Sequence, residues 1–171
     1  MKDSSSGVLV RQMSSTDLPA AIRLVRSIEA ESGPDDPSAG KEGEAGLKES
    51  LAHYDIIGSD GAWVLLAELE GEFVGYALAV RIPKLDHRLG FLFVDEIYVL
   101  RAYRRRGVAG ELLEAIRALA KQQGYAGVRL LVRPSNAAAR ALYRRMDYSE
   151  HEALLCELRT NRPRSSRHAE Q

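Results

Sequence analysis

From Phe91 to Val99 the chain reads Phe-Leu-Phe-Val-Asp-Glu-Ile-Tyr-Val, apolar at both alternations of a strand except at Asp95 and Glu96. A strand that is apolar on both faces is covered on two sides. A chain containing one therefore needs helices above and below its sheet. The flanking sequence supplies them. Val8 and Val10 begin a first strand that extends towards Met13, and Ser15-Thr16-Asp17 offers an N-cap ahead of Leu18-Pro19. Leu18, Ile22, Val25 and Glu29 fall at helical spacing, and Leu47, Leu51 and Tyr54 suggest a second helix. Residues 63–69 and 73–82 are apolar runs parted by Glu70-Gly71-Glu72, which reads as a hairpin with glycine at its bend.

Beyond the central strand, Val108, Leu112, Ile116 and Leu119 make a stripe of period 3.6 on a helix that Gly124 ends. Residues 128–132 read as a short buried strand. Pro134-Ser135-Asn136 turns into a helix through Met146, and residues 148–158 finish as one or two strands with Cys156 buried as a small hydrophobe. The order β-α-α-β-β-β-α-β-α-β predicts one three-layer α/β domain, a central mixed β-sheet flanked by about four helices. Its expected limits are residues 7–159, with a disordered N-terminus at 1–6 and a flexible basic tail at 160–171. Residues 32–46, rich in Gly, Pro and acidic side chains, read as a long loop of the kind that often carries function.

A length of 171 residues suits one domain. Lys plus Arg and Asp plus Glu both number 24, so the chain is neutral overall and no nucleic-acid partner is expected from its charge. The single cysteine excludes an internal disulfide framework, and His53, His87, His151 and His168 show no metal spacing. No apolar run approaches the roughly 20 residues that span a bilayer, and the first residues lack a signal-peptide pattern, so a cytoplasmic protein without a membrane partner is expected.

The chemistry is concentrated in residues 95–109, Asp-Glu-Ile-Tyr-Val-Leu-Arg-Ala-Tyr-Arg-Arg-Arg-Gly-Val-Ala. A central strand ends, a basic turn follows, and Gly107 opens a helix. Free backbone N–H groups and the positive dipole end attract phosphate there, and glycine lets a bulky diphosphate approach the backbone. Arg104, Arg105 and Arg106 favour the same anion. Neither the Walker pattern nor the dinucleotide fingerprint is present.

Arg104-x-x-Gly107-x-Ala109 after a strand resembles the coenzyme A pyrophosphate loop of the GNAT N-acetyltransferase superfamily, Arg/Gln-x-x-Gly-x-Gly/Ala. Downstream, Asn136-x-x-Ala139-x-x-Leu142-Tyr143 resembles the family's later helix motif, and Asn136, Arg140 and Tyr143 lie near one helical face. Together the motifs span about residues 90–150. The chain departs from the family pattern in two places. Asp147-Tyr148 stands where Gly-Phe is common, and Leu131 stands where ribosomal-protein-alanine acetyltransferases carry a Glu.

The resemblance implies a GNAT-like fold and an N-acetyltransferase. Such an enzyme uses acetyl-CoA as cosubstrate, has a primary amine as acceptor, and needs no metal. It implies a coenzyme site formed by Ile97, Tyr98, Val99, Arg104, Arg105, Arg106, Gly107, Val108, Ala109, Asn136, Arg140 and Tyr143. Backbone N–H groups at 97–99 would polarise the thioester carbonyl, Asn136 would meet the pantetheine arm, and Tyr143 would protonate the leaving thiolate. An amine near the Lys pKa of about 10.4 is charged at neutral pH, so a proton acceptor helps. Asp95 is the first candidate and Glu96 the near-equal second. Period two in a regular strand sets them on opposite faces.

Plainer readings stand beside these. The arginines form a solvated charge run or a nucleic-acid patch, Tyr143 is core, and Asp95 or Glu96 pairs with Arg81 or Arg129. A coenzyme A-binding module without catalysis is the competing function. The acceptor is expected to enter between the first helices, the 32–46 loop and the 81–89 connection, which mix Glu31, Asp35, Asp36 and Glu42 with Arg81, Lys84, His87 and Arg88, and the acidic loop weakly favours a cationic amine. Exposed strands near the C-terminus would allow a homodimer.

Overall fold

The computed structural model describes residues 7–32, 49, 51, 53, 56–85 and 89–158. Both expected tails, the 33–46 loop, Leu47, Tyr54, His87, Arg88 and His168 lie outside them. Strand β1 (Leu9–Gln12) leads through a 3₁₀ turn (Ser15–Asp17) into helix α1 (Leu18–Ser32). Strands β2 (Ala62–Leu69), β3 (Glu72–Ile82) and β4 (Phe91–Val99) follow, then α2 (Val108–Gln122), β5 (Gly127–Leu130) and α3 (Ala137–Arg145). Glu49, Leu51 and His53 are helical, and Leu51 is buried.

The sheet order is β1-β2-β3-β4-β5, antiparallel throughout except for the parallel pair β4–β5. This is the mixed sheet expected from a hairpin-rich first half and a strand–helix–strand second half. The β2–β3 turn is tighter than the sequence suggests. Leu69 pairs with Glu72, leaving two residues, Glu70 (φ 56°) and Gly71 (φ 82°), both left-handed. Positive φ at both positions is the turn whose twist matches the hairpin's strands.

Two cores flank the sheet. On one face α2 buries Val108, Leu112, Leu113, Ile116 and Ala120 against Leu65, Ala67, Ala77, Ala79, Leu92, Val94 and Val99, with Tyr143 of α3 in the same cluster. On the other, Ala21 and Leu24 of α1 join Met13, Leu51 and Leu66, flanked by Leu18, Ile28, Tyr76 and Leu100. Leu24, not Val25, lies deepest on α1. Ser15–Asp17, expected to cap this helix, instead form the 3₁₀ turn ahead of it, and Ser14 caps that turn. Ser14 donates to Asp17 Oδ2 from its N–H (2.8 Å) and from its Oγ (2.7 Å), and the Arg11 fork donates to both Asp17 oxygens at 2.6 Å. The Arg11 hydrogen bonds, with the Ser14 donors, hold the Asp17 carboxyl well below the usual range.

The C-terminal expectation fails. Residues 149–158 form no strand. Cys156 is exposed rather than buried, as are Leu154, Leu155 and Leu158. An apolar run is consistent with a strand, but it needs a neighbour with free ladder groups, and β5 is only four residues long. The strand expected over 128–132 is likewise shorter and half-covered, with Leu131 left exposed.

Candidate active site

The parallel pair β4–β5 runs only from Phe91–Gly127 to Val94–Leu130. β4 continues to Val99, so five of its residues extend past the end of the pairing. Opposite β3 the register shifts: Ala79 pairs with Val94 and Leu78 with Glu96, leaving Asp95 as an inserted residue. A bulge bends its strand and sharpens the twist. It also breaks the alternation that separated Asp95 from Glu96 in the sequence. Val94, Ile97 and Val99 face the α2 core, while Leu100 and Tyr76, the cross-strand partner of Tyr98, belong to the α1 core. Glu96 and Tyr98 therefore share the α1 side.

Main-chain groups follow the same logic. Leu100 N–H donates to Val74 O at 2.9 Å. By alternation the N–H of Tyr98 also turns to β3, and those of Ile97 and Val99 turn away from it, into the gap beyond β5. Gly75 allows this close approach, because a Cβ there would stand 2.6 Å from the Tyr98 carbonyl oxygen.

After Leu100 comes a 3₁₀ turn (Arg101–Tyr103), then extended Arg104, then two left-handed residues, Arg105 (φ 62°) and Gly107 (φ 87°), separated by Arg106. Alternating backbone hand curls successive N–H groups towards one concavity. Gly107 is the N-cap of α2 and makes no side-chain cap; its carbonyl accepts from Glu111 N–H at 3.1 Å. The N–H groups of residues 107–110 precede the first intrahelical donor, so they point out of the helix end. The arginines differ. Arg104 Nε donates to Val99 O at 2.9 Å and its guanidinium lies 5.4 Å from the Tyr98 ring centroid. Arg106 donates to Glu70 at 2.6 Å, at the tip of the β2–β3 hairpin. Arg105 is exposed.

On α3, Asn136 Oδ1 accepts from Ala139 N–H at 3.1 Å, so its carbonyl caps the helix and its amide nitrogen faces outward. Arg140 is forked onto Glu150 at 3.0 and 2.6 Å and also donates to Pro134 O. Tyr143 is buried in the cluster that includes Ile97, Val99 and Val108, with its ring 5.7 Å from that of Tyr148. Burial raises the Tyr143 phenol, and burial followed by the neighbouring Tyr143 pushes Tyr148 up to about 12. Asp147, left-handed at φ 64°, makes the turn between these two rings.

Both carboxylates of the central strand are exposed. Glu96 accepts from the Tyr76 hydroxyl at 2.7 Å, and burial together with Glu96 raises the Tyr76 phenol. Arg81 and Arg129, the alternative partners, are engaged elsewhere: Arg81 stands 4.0 Å from Asp60, and Arg129 stacks 3.7 Å from the Phe91 ring centroid. Tyr76, which the sequence does not single out, and Glu31, expected there only as an acid beside the acceptor loop, also belong to this end of the sheet. Glu31 accepts from the Tyr98 hydroxyl at 3.0 Å and from Arg101 N–H at 2.9 and 3.1 Å. Burial, then this hydrogen bond, raises the Tyr98 phenol. Among the described residues, no helix is long and apolar enough to cross a membrane.

The sheet, mixed at its β4–β5 edge and covered by a helix layer on each face, is a three-layer α/β fold. The acetyltransferase (GNAT) family model matches residues 25–148, and the chain belongs to that family. An uncharacterized N-acetyltransferase of Bacillus subtilis, YhfO, is 28% identical over 107 residues, covering 63% of this chain and 68% of that protein. Among solved structures, an aminoglycoside acetyltransferase from an uncultured soil metagenomic sample, meta-AAC0020 in complex with sisomicin, superposes with a TM-score of 0.72 at 17% identity, over 91% of this chain and 97% of that one. Aminoglycoside acetyltransferase AAC(6')-Iy with a bisubstrate analogue of coenzyme A gives 0.69 at 22%, over 90% and 99%. An integron cassette protein from V. cholerae gives 0.75 at 15%, over 91% and 94%. At these identities the likeness of the solved structures is one of fold.

Proposed function

We propose that the chain moves an acetyl group from acetyl-CoA to a primary amine of a small molecule or protein by direct attack within a ternary complex. The observation that carries this reading is the uncapped start of α2, entered through left-handed Gly107 directly beyond the gap at the end of β4. In this reading the N–H groups of residues 107–109 and the outward part of the Arg104–Arg106 turn hold the diphosphate. Asn136 offers its amide nitrogen to the pantetheine arm. The N–H groups of Ile97 and Val99 face the thioester carbonyl as fixed donors, which need no reorganisation as negative charge develops on its oxygen.

The amine enters from the α1 side. Glu96, held by the Tyr76 hydroxyl, accepts its proton directly or through water, with Asp95 on the bulge beside it. The neutral amine attacks the thioester carbon, the C–S bond breaks, Tyr143 gives its proton to the thiolate, and the proton shed by the new amide nitrogen passes through water to restore the phenol. A phenol raised by burial keeps that proton until a thiolate asks for it. Arg140, committed to Glu150, braces α3 on the following segment and leaves coenzyme contact to its neighbours.

A thiol-release screen over amine classes, run with wild type and Tyr143→Phe, tests the reading. Turnover in the variant should fall about tenfold or more with acetyl-CoA affinity little changed. Equal turnover removes Tyr143 from the mechanism. Saturable acetyl-CoA binding without thiol release from any amine leaves the protein a coenzyme-binding module.

A further inference from the structure

We propose that Glu31 is a positioning residue for the coenzyme loop, acting as a cap supplied from the far end of α1 to the turn that aims α2. The inference rests on the coenzyme site proposed above. The turn Arg101–Tyr103 begins at Leu100, which makes no side-chain cap, and the first N–H of such a turn needs an acceptor. Glu31, 70 positions earlier, supplies both of its oxygens to Arg101 N–H. It also accepts from the Tyr98 hydroxyl, and the Tyr98 ring is the surface against which the Arg104 guanidinium lies.

The Arg101 and Arg104 guanidiniums approach Glu31 only to 4.0 Å each. The close contacts of Glu31 are therefore with a main-chain N–H and a phenol, and those with the guanidinium heads are longer. Four residues link Leu100 to left-handed Arg105, and Gly107 follows two further on. A small rotation at Arg101 thus carries through to the N–H groups at the start of α2. The beginning of α1 has its own anchor in Asp17 and Arg11, so removing Glu31 releases the loop while α1 stays seated. Sequence position alone hides this role, because Glu31 reads there as one more acid bordering the acceptor loop.

The test uses Glu31→Ala, Glu31→Gln and Tyr98→Phe in the full chain, with two readouts. Acetyl-CoA affinity by calorimetry should fall about tenfold in Glu31→Ala and by less than about threefold in Glu31→Gln, whose amide oxygen still accepts from Arg101 N–H. Amide hydrogen exchange over residues 100–107, measured without coenzyme, should quicken about tenfold in Glu31→Ala and stay near wild type in Glu31→Gln. Tyr98→Phe keeps the Arg101 contact and should fall between them; if Glu31→Ala does not fold, that variant's intermediate loss carries the test. Wild-type affinity and exchange in Glu31→Ala, or a loss in Glu31→Gln as large as in Glu31→Ala, overturns the proposal. A wild-type protein that binds no acetyl-CoA overturns the coenzyme reading instead, and the exchange rates still decide whether Glu31 holds the loop.

Discussion

The two helix layers hold to the same sheet by different means. α2 is fixed by packing: Leu112, Leu113 and Ile116 are 0% exposed and Val108 is 1% exposed. α1 buries a thinner stripe and is pinned at both ends by carboxylates, Asp17 on Arg11 and Ser14 at its start, Glu31 on Tyr98 and Arg101 at its finish. Apolar packing is insensitive to pH and tolerates little change of volume, whereas an ionic anchor depends on its proton and places a group at one point. The layer that presents backbone N–H groups is thus the rigid one. The layer that borders the proposed amine entrance is held at its two ends by a few hydrogen bonds to carboxylates.

The largest effect expected from this contrast is in the packed layer. Leu112→Ala should destabilise the fold by about 3 kcal/mol, through lost transfer energy and the cavity left behind. Denaturant unfolding measures it, and a loss under about 1 kcal/mol would mean that α2 is less tightly fixed than its burial implies. Next comes the helix start. Gly107→Val places a β-branched residue at φ 87° and should weaken acetyl-CoA binding about 30-fold, or about 2 kcal/mol, with a smaller loss of stability. Unchanged affinity on calorimetry would break the assignment of that backbone to the diphosphate.

The carboxylates come third. Glu96→Gln should lower turnover about tenfold near neutral pH and Asp95→Asn by less than about threefold, since Tyr76 fixes only the former. The reverse order would move the base to the bulge. The smallest effect belongs to the α1 anchor. Asp17→Asn should cost about 1 kcal/mol at pH 7, through the weakened cap and the lost ion pair with Arg11. Because the folded-state pKa of Asp17 is depressed, its contribution is complete above the ordinary carboxylate pKa and is lost as pH falls below it towards the folded value. The difference in melting temperature between wild type and variant should therefore shrink as pH is lowered below about 4.

The same contrast explains what could be read from the sequence. The proposed coenzyme side is built from contiguous residues: a doubly apolar strand, a basic turn, Gly107, and a helix stripe. Each is a local signal, and the mixed three-layer fold follows from them. The α1 side is built from pairs far apart in the chain, Tyr76 with Glu96 and Glu31 with Tyr98, and no spacing rule connects positions 20 and 67 residues distant. The bulge at Asp95 escaped for a related reason. Period two is a property of a regular ladder, and the inserted residue is defined by its register against β3, not by the residues around it. The segment 149–158 shows the opposite error. Its apolar composition fits a strand, but a ladder needs a partner as well as a pattern.

One consequence of the bulge reaches into how such a chain varies. Because Val94 and Glu96 already face successive residues of β3, Ala79 and Leu78, losing the Asp95 codon would leave Glu96, Ile97, Tyr98 and Val99 on their present sides and take away only the bend. The product would keep the facing of these residues on a straighter β4. A single in-frame deletion would then separate the contribution of the bend from that of the side chains it carries.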